Sequence, residues 1–478
     1  MKCEKKMISA AIINLGCKVN KYESDSMKDK LREAGICVVE PEDVADVYIV
    51  NTCSVTNMAQ KKSRQMLRRA KKMNPDAVIV AAGCYVNAEH ETLKNENFVD
   101  IVVSNNCKKD IARIIKEYFS DYRENDYYVD INHTQEYEEM GNLDAAYLDH
   151  QRAYIKIQDG CNQFCSYCII PYTRGRVRSR KPEHIMEEIT RLAKKGVKEF
   201  VLTGIHISSY GMDFSEDVLQ YDEFMDSIKK ETPEHKGLLG LGQLVKMIAG
   251  IPEVERIRLG SLEPRIITKE FLELIGKNDK VCPHFHLSLQ SACNDTLKRM
   301  NRKYTIEEYM EKCELIRSCF DKPAITTDVI VGFPGETEEE FKITMDNLEK
   351  LKLYEIHVFK YSVREGTLAQ KMENQVPEEI KGERSDKLLL LTQKQKKEYE
   401  ASLKGYTDDV LIEECVEESK ALELVDVKLL DVKGINDGTK SVKSENVQYF
   451  TGHTKRYVKV KVATTDNIIN QIVKVEIL

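Results

Sequence analysis

Three cysteines within eight residues constrain this chain more than any other feature: Cys161, Cys165 and Cys168 follow a predicted buried strand. Three thiolates hold three irons of a 4Fe–4S cluster, whereas such clusters are commonly held by four cysteines. A structural zinc ion needs four ligands, usually in two pairs, and the nearest further cysteines, Cys107 and Cys282, are distant in the sequence. The spacing favours a 4Fe–4S cluster with one open iron, with zinc binding and a chance grouping as the alternatives.

An open iron gives such a cluster a chemical use. It can bind the amine and carboxylate of S-adenosylmethionine, and electron transfer into the sulfonium then produces a 5′-deoxyadenosyl radical, so that the cofactors carry the difficult chemistry. The cysteine pattern therefore predicts a radical enzyme that uses S-adenosylmethionine.

The pattern of apolar runs predicts an α/β chain in three sections. In residues 1–120, helix-period segments separate the buried strands Ile8–Leu15, Val47–Val50 and Ala77–Ala82, which predicts an N-terminal parallel α/β domain. Residues 121–146 are rich in Asp, Glu, Tyr and Asn without a clear period, and we interpret them as a linker.

The second section, residues 147–385, alternates strands with helical patterns and predicts a partial (β/α)6 barrel. Its strands are Ala153–Gln158, Glu199–Leu202, Arg256–Leu259, His284–Leu289, Ile325–Val331 and Ile356–Tyr361. A polar, helix-prone connector, 386–403, leads to a β-rich section, 404–478. Its strands Val410–Glu413, Tyr457–Val462 and Ile472–Ile477 predict a small β-barrel of a kind that often binds oligonucleotides.

A second group of cysteines is dispersed in the sequence. Cys17, Cys53 and Cys84 each lie just beyond a predicted strand of the N-terminal section. Because the carboxyl ends of parallel strands meet at one edge of a sheet, three thiolates can come together there. The residues alone leave two interpretations open: a second metal site, or three cysteines that are simply packed.

Segments that follow the barrel strands are candidates for a S-adenosylmethionine pocket, since parallel barrels place their sites at that end. Gly204, Glu263, Gly332 and Gly335 occupy such positions. Glycine lets the backbone approach a ligand closely. The alternative for the last two is a plain βα turn with Thr337 as helix N-cap.

Basic residues cluster although the net charge is −7. Cations contact phosphate, and a tyrosine can stack on an unpaired base, whereas the alternative for any such cluster is a solvated face. The candidates for RNA contact are Arg174, Arg176, Arg178, Lys455, Arg456 and Tyr457. No apolar stretch reaches the roughly 18–20 residues that span a bilayer, so we expect a cytoplasmic protein without a membrane partner.

The pattern Cys-x3-Cys-x2-Cys, with Tyr167 before the last cysteine, resembles the radical S-adenosylmethionine superfamily. Within it, the segments 15–20, 51–56 and 82–85 resemble the N-terminal domain of the methylthiotransferases. The resemblance covers nearly the whole chain and includes a C-terminal piece similar to the TRAM domain. It implies two 4Fe–4S clusters, one held by Cys161, Cys165 and Cys168, and an auxiliary cluster for sulfur insertion held by Cys17, Cys53 and Cys84.

The segment 16–20 and Val177 are most similar to the enzymes that add a methylthio group to C2 of N6-threonylcarbamoyladenosine beside the tRNA anticodon. This resemblance implies a tRNA anticodon stem-loop as partner, an electron donor such as flavodoxin or ferredoxin, and a sulfur source. The alternatives are methylthiolation of N6-isopentenyladenosine in tRNA or of a ribosomal protein aspartate, and, in another class, a non-catalytic iron–sulfur or zinc RNA-binding protein. The segment Glu418–Gln448 makes the C-terminal section longer than is usual for the family.

Overall fold

The N-terminal part folds into a six-stranded parallel sheet, as its alternation of apolar strands and helices predicts. The computed structural model describes residues 7–120, 124–131, 134, 136–141, 143–144, 152–214, 240–421, 424–432 and 447–478. The strands lie in the order β2-β1-β3-β4-β5-β6. They are β1 Ser9–Asn14, β2 Cys37–Val39, β3 Val47–Thr52, β4 Val78–Gly83, β5 Ile101–Val103 and β6 Asp126–Tyr127.

Five helices connect these strands: α1 Lys18–Glu33, α2 Asn57–Met73, α3 Cys84–Ala88, α4 His90–Lys94 and α5 Ile111–Tyr118. The order of the strands reverses between β1 and β3, and ligands bind at the carboxyl ends of strands beside such a switch point. None of the helices in the described part of the chain is long and apolar enough to cross a membrane.

The segment 121–146 is more than the linker that the sequence indicated. Its β6 pairs with β5 and extends the N-terminal sheet. Ile131, Met140 and Leu143 are buried, and the latter two lie in the main hydrophobic core. The few apolar residues in this polar stretch therefore attach it to the fold.

Six parallel strands of the second section form the predicted partial barrel, in the order β7-β9-β10-β11-β12-β13. Isolated bridges from Ile257 to Val281 and from Leu262 to Leu287 connect its two sheets, and β8 pairs antiparallel with β7. The strands are β7 Arg152–Asp159, β8 Arg178–Ser179, β9 Glu199–Gly204, β10 Arg256–Leu259, β11 His284–His286, β12 Ala324–Val331 and β13 Glu355–Lys360.

Helices cover the outside of this barrel, and α1 packs against β7 and β9. The helices are α6 Ile170–Thr173, α7 Pro182–Lys194, α8 Leu241–Ala249, α9 Lys269–Gly276, α10 Asn294–Arg299, α11 Ile306–Cys319, α12 Glu338–Leu351 and α13 Glu378–Ser402. The predicted connector is therefore the second half of α13, which packs against β13. Ala153, Ile155 and Ile157 of β7 lie in the hydrophobic core, so the alternate residues of β7 face the lumen.

The C-terminal section closes into a five-stranded barrel in the order β14-β16-β17-β15-β18, which confirms the predicted small β-barrel. Its elements are β14 Thr407–Val416, α14 Glu418–Ala421, β15 Val425–Val432, β16 Gln448–Thr454, β17 Lys459–Thr464 and β18 Ile472–Ile477. The long segment Glu418–Gln448 contributes β15, and its residues 433–446 lie outside the described part. Tyr457 precedes β17 in a turn with φ +66°, whereas the sequence suggested that it begins a strand.

Candidate metal centres

The loop that carries the central cysteines leaves the carboxyl end of β7 through a glycine that no other residue can replace. Gly160 has φ +71°, and a Cβ atom there would lie 1.8 Å from the carbonyl oxygen of Arg176. The Cys161 backbone N–H donates to the Gly175 carbonyl at 3.0 Å, and that of Cys168 donates to the Cys165 carbonyl at 2.9 Å. This close approach folds the loop back on itself, so that its three thiols share one end of the barrel.

Hydrogen-bond donors surround the central thiols. The guanidinium Nη1 of Arg302 donates to Cys165 Sγ at 3.2 Å, and the Gln163 backbone N–H donates to Cys161 Sγ at 3.5 Å. Burial raises the pKa of Cys161 to about 11 and that of Cys168 to about 12. A metal that replaces these protons removes that cost, because the thiolate is the form that binds metal.

The N-terminal cysteines follow three neighbouring strand ends, since Cys17 comes after β1, Cys53 after β3 and Cys84 after β4. A Cβ atom on Gly16, which has φ +98°, would lie 2.9 Å from Cys53 Sγ, so the first two loops touch. The Asn20 amide donates to the carbonyls of Leu15 and Thr52 at 2.7 and 3.0 Å and fixes these loops together. The structure thus gathers at one sheet edge three thiols that are widely spaced in the sequence.

The N-terminal thiols act on one another electrostatically. Burial, with a smaller contribution from the Cys84 and Cys17 thiols, raises the pKa of Cys53 to about 11. Burial also raises the pKa of Cys17, although this residue is exposed to solvent.

Arg174 connects the two triads. It follows the central cysteine loop, and its Nε atom donates to Cys84 Sγ at 3.1 Å. Its other guanidinium nitrogens donate to Glu23 Oε1 at 2.8 Å, to Asn20 Oδ1 at 2.7 Å and to Asp159 at 3.2 Å. Asp159 directly precedes the Gly160–Cys161 turn, so one buried side chain contacts the supports of both triads.

The charges around Arg174 form a buried network between α1 and β7. Burial opposes the ionisation of Glu23, but Arg174, Lys108 and Lys156 outweigh it and hold the pKa of Glu23 well below its usual range. The Lys108 and Lys156 ammonium groups lie 2.6 and 2.7 Å from this carboxylate. With Asp159 and Arg178, which lie 3.8 Å apart, two carboxylates face four cations, and one of these cations, Arg174, contacts the Cys84 thiol.

The structure corrects part of the predicted RNA contact surface. Arg174 and Arg178 are 0% and 1% exposed, and Arg178 donates to the Arg174 carbonyl at 2.8 Å. Both guanidinium groups are used inside the protein, where they pair with carboxylates of other elements. Arg176 is exposed, with its guanidinium carbon 4.4 Å from the centre of the Phe164 ring, and remains a candidate.

The predicted RNA contacts of the C-terminal barrel dock this barrel onto the rest of the chain. Arg456 is buried and donates to Asp408 Oδ2 at 2.9 Å and to the Asp321 carbonyl at 2.8 Å. The ring of Tyr457 packs against the rings of His284 and His453, with centroids 5.0 and 4.5 Å apart, and so is not free to stack on a base.

Lys455 is only partly exposed. Its ammonium donates to the Asp279 carbonyl at 3.0 Å, so it too contacts the partial barrel, and it lies 3.6 Å from the Asp409 carboxylate. Of the three expected RNA contacts in this segment, Lys455 and Tyr457 are partly exposed and Arg456 is buried.

The segments proposed for a cofactor pocket lie at the carboxyl ends of the barrel strands, but two of their glycines face side chains. Gly332 (φ +71°) and Gly335 (φ +78°) face Lys381 and Arg299. Thr337 caps α12 in a capping box, as the alternative interpretation of this turn expected. The loop nevertheless adjoins the central cysteines, since the rings of Phe333 and Tyr167 are 6.3 Å apart.

The other two candidates are held by local contacts. A Cβ atom on Gly204 would lie 2.9 Å from the Gln158 carbonyl oxygen, so this position requires glycine for close packing of β9 on β7. Glu263 is buried, and its carboxylate accepts from Arg265 Nε at 2.7 Å.

The arrangement of both triads fits a multi-iron cluster better than a single ion. Two thiolates on one tetrahedral zinc lie only about 3.8 Å apart, given Zn–S bonds of about 2.3 Å. Within the described residues, the groups with at least three ligand atoms inside 4.8 Å of one another are His286–Asp328–His357 and Cys293–Asp295–Glu340. Neither contains a triad cysteine, so the three sulfur atoms of each triad do not all lie within 4.8 Å of one another.

A cleft of about 510 Å³ opens beside elements that follow cysteines of both triads, although no triad cysteine lines it. Asn57 at the start of α2, Asn87 of α3 and Thr173 of α6 line it. Arg364 enters it from the segment after β13, is 4% exposed, and has no hydrogen-bond partner for its Nε atom among the described residues. A ligand in this cleft would contact elements that adjoin both triads.

Sequence reasoning missed the cations that serve the thiols. Arg302 lies in no recognisable motif, and its partner Cys165 is 137 residues away, so no local signal identifies it. Lys156 does give a signal, because a lysine within a predicted buried strand requires a buried carboxylate partner.

Comparison with known proteins agrees with this arrangement. The profile of the Radical SAM superfamily matches residues 155–348, and that of the uncharacterized protein family UPF0004 matches residues 9–104. The chain is 38% identical to the threonylcarbamoyladenosine tRNA methylthiotransferase MtaB of Bacillus subtilis, over 99% of this chain and 94% of that protein.

A second relative and a solved structure extend the comparison. The tRNA-2-methylthio-N(6)-dimethylallyladenosine synthase of Thermoanaerobacter pseudethanolicus is 36% identical, over 83% of this chain and 80% of that protein. The radical S-adenosylmethionine methyltransferase TsrM from Kitasatospora setae superposes with a TM-score of 0.50 at 15% identity, covering 74% of this chain and 75% of that one. The solved structure supports the fold alone.

Proposed function

The chain belongs to the methylthiotransferase family of radical S-adenosylmethionine enzymes, and on that premise we propose that it adds a methylthio group to C2 of N6-threonylcarbamoyladenosine in tRNA. It is therefore an enzyme that transfers an alkylthio group, and we expect it to act in the cytoplasm, where tRNA is found.

The observation that carries the proposal is one cleft that is lined by elements following cysteines of both triads. Cys161, Cys165 and Cys168 belong to the barrel, and the other triad belongs to the N-terminal sheet. The volume of the cleft, about 510 Å³, lies in the range of about 300–1,000 Å³ that is usual for small-molecule sites. We propose that the modified nucleoside binds in this cleft, next to the elements that carry the two triads.

Each triad is proposed to hold a 4Fe–4S cluster through its three thiols. When bound, the central cluster and S-adenosylmethionine supply an organic radical, and the N-terminal cluster supplies the sulfur. The chain's own part is to hold both centres and to exclude water between them. Arg302 and Arg174 donate hydrogen bonds to the sulfur atoms of Cys165 and Cys84 and so hold these side chains in place.

The S-adenosylmethionine pocket is proposed to lie where the carboxyl ends of β9, β10 and β12 approach the central loop. Gly204, Glu263, Gly332 and Gly335 mark those ends. The open sides of Gly332 and Gly335 face Lys381 and Arg299. The backbone N–H and C=O groups of these turns are therefore the part that we propose contacts the cofactor. An electron donor such as flavodoxin or ferredoxin and a sulfur source complete the proposed reaction.

Arg176 supports the proposed tRNA partner. It is exposed beside the central loop and next to Tyr172, whose side chain is 48% exposed and borders the cleft. A cation and an aromatic ring at the mouth of a pocket are groups that bind a single-stranded RNA loop with an unstacked base.

The experiment that tests the function is a reaction of the anaerobically reconstituted protein with three substrates. These are anticodon stem-loops that carry threonylcarbamoyladenosine or isopentenyladenosine, and the aspartate-containing ribosomal protein. Mass spectrometry of nucleosides and peptides should detect a methylthio group on the threonylcarbamoyl substrate. A methylthio group found only on another substrate would replace the proposed target, and no 5′-deoxyadenosine in any reaction would identify a non-catalytic metal protein.

A further inference from the structure

Arg364 is a buried cation without a counter-ion. It lies in the segment between β13 and α13 and is 4% exposed. The structure describes nine buried arginines, and the other eight each have a carboxylate oxygen within 3.8 Å of a guanidinium nitrogen. Arg364 has no such partner among the described residues, and its buried Nε–H donates to none of them. Because an arginine is rarely buried unless it is paired, this one needs a partner that the described chain does not supply.

A neutral side chain holds the Arg364 guanidinium in place. Its Nη1 atom donates to Oδ1 of Asn57, the first residue of α2, at 2.9 Å. The Asn57 backbone N–H donates in turn to Ser362 Oγ at 3.2 Å, and the Arg364 carbonyl accepts from the Thr367 hydroxyl at 2.7 Å. An amide oxygen orients a guanidinium but does not neutralise it. The cation is therefore fixed in position with its charge still available, which lowers the cost of binding an anion.

The charges in the cleft favour one place for an anionic group. Arg364 lines this cleft and is the one cation among the described residues that do so. Two carboxylates, those of Glu89 and Glu365, also line it, and neither forms an ion pair with Arg364. An anionic group that enters the cleft is repelled by these two carboxylates and attracted by Arg364. Asn87 and Thr173 offer hydrogen bonds to the neutral polar atoms of the same ligand.

We propose that Arg364 forms an ion pair with the carboxylate of the threonylcarbamoyl substituent and so selects the substrate. This inference rests on the proposed function. The threonylcarbamoyl group carries a carboxylate and a hydroxyl, whereas the isopentenyl group is a hydrocarbon with neither. The guanidinium fork binds a carboxylate through charge-assisted hydrogen bonds. A site built for that partner rejects an analogue without it, because the buried cation is then left unpaired.

Asn57 makes a reciprocal test of this ion pair possible. Asn57→Asp puts a carboxylate oxygen where the amide oxygen already meets Nη1 of Arg364. The cation then has a counter-ion within the protein, and the substrate carboxylate is repelled by the new charge. Asn57→Asp should therefore abolish the preference for the threonylcarbamoyl substrate although it removes no cation.

The experiment measures the binding of two anticodon stem-loops of identical sequence, one with threonylcarbamoyladenosine and one with isopentenyladenosine, by fluorescence anisotropy. The protein is the full chain, reconstituted anaerobically, as wild type, Arg364→Gln and Asn57→Asp. Arg113→Gln and Asn95→Asp make the same changes at exposed positions of the N-terminal domain, on α5 and directly after α4, and serve as matched controls. Iron content and the unfolding midpoint are measured for each protein.

We expect Arg364→Gln to weaken binding of the threonylcarbamoyl RNA by roughly 10- to 100-fold, the usual effect of losing a hydrogen bond to a charged group. Asn57→Asp should weaken it by a similar factor, and neither variant should weaken binding of the isopentenyl RNA. Both controls should match wild type. The unfolding midpoint should not fall in either variant, because Arg364→Gln removes an unpaired buried charge and Asn57→Asp pairs it.

Four outcomes would overturn the role of Arg364. They are equal weakening of both RNAs, which would assign Arg364 to an RNA phosphate that both substrates share, no weakening of either RNA, wild-type protein without a preference, and loss of iron from Arg364→Gln, which would assign Arg364 to the N-terminal metal centre. A failure of the function is distinct from all four, since wild-type protein would then form no methylthio product on the threonylcarbamoyl RNA.

Discussion

The guanidinium Nε of Arg174 lies 3.1 Å from the sulfur of Cys84, although the two residues are 90 positions apart and belong to different domains. This contact places the loop after the central cysteines directly against the N-terminal triad. The loop after the central cysteines and the N-terminal triad therefore meet in one buried interface between the N-terminal sheet and the partial barrel.

Replacement of Arg174 by alanine should open this interface. It removes one of the two cations that Glu23 and Asp159 share and leaves Lys156 as the other, and breaking a buried ion pair typically costs about 3–5 kcal/mol of unfolding free energy. Anaerobic urea unfolding measures that loss, and iron analysis should show fewer irons than in wild type. Arg176→Ala, an exposed neighbour, should leave both quantities unchanged; a stable, fully loaded Arg174→Ala protein would contradict the role of the network.

The two triads should be separable by mutation. Cys53→Ala and Cys165→Ala should each lower the iron content from about eight to about four per chain, since each removes a ligand of one 4Fe–4S cluster. Cys53→Ala should still form 5′-deoxyadenosine but no methylthio product, whereas Cys165→Ala should form neither. Liquid chromatography of the reaction mixture measures both products. A fully active Cys53→Ala enzyme would contradict the assignment of the second cluster.

Gly160→Ala should destroy the central centre by a steric clash. The new methyl group would lie 1.8 Å from the Arg176 carbonyl oxygen, so the loop has to move and its thiols separate. We expect loss of about four irons and of 5′-deoxyadenosine formation.

Gly196→Ala is the matched control for that substitution, because Gly196 also has a positive φ, +95°, but has nothing within 4 Å of its Cβ position. It should cost only about 1–2 kcal/mol of unfolding free energy, the strain of a left-handed backbone, and keep its iron. If both variants behaved alike, the strain and not the clash would explain the effect.

Arg176→Ala should weaken RNA binding in a salt-dependent way. One lost phosphate contact should lower the slope of log affinity against log salt concentration by roughly 0.7–0.9. A titration of the stem-loop at several salt concentrations measures the slope. Arg178 is buried, so Arg178→Gln in a protein that still folds is not expected to change the slope, and a smaller slope for Arg178→Gln would identify Arg178 as an RNA contact.

Arg456→Ala should loosen the C-terminal barrel. Its loss leaves Asp408 buried without a cation and removes donors to the carbonyls of Asp321 and Lys322, at an expected cost of about 3–5 kcal/mol of unfolding free energy. Lys459→Ala, whose side chain is 42% exposed, is the control and should cost less than about 1 kcal/mol. The midpoints of thermal unfolding of the two variants, compared with wild type, measure this difference.

The sequence predicted those features that arise from local periodicity. The strand Ala153–Gln158 lies within β7, and Ile472–Ile477 matches β18, because alternation and β-branched residues determine where such strands begin and end. The convergence of the cysteines that follow the N-terminal strands was also predictable, because the carboxyl ends of parallel strands meet at one edge of a sheet.

What the sequence did not predict depends on partners that are distant along the chain. Arg174 and Arg178 belong to an arginine-rich run that resembles an RNA-binding arm, but Glu23, which pairs with Arg174, is 151 residues away. Tyr457 has the β propensity of a strand residue, yet its packing against His284 holds it in a turn. Packing between domains decided these positions, and no local pattern encodes it.

The docking of the C-terminal barrel has a consequence for how far an RNA must reach. The ring of Tyr457 meets the first residue of β11 and approaches Arg152, the first residue of β7, while the cysteine loop leaves the last residue of β7. At about 3.3 Å per residue, the seven steps from the first to the last residue of β7 separate these two ends by about 23 Å. An RNA that touched both ends would have to run along the flank of the protein for that length.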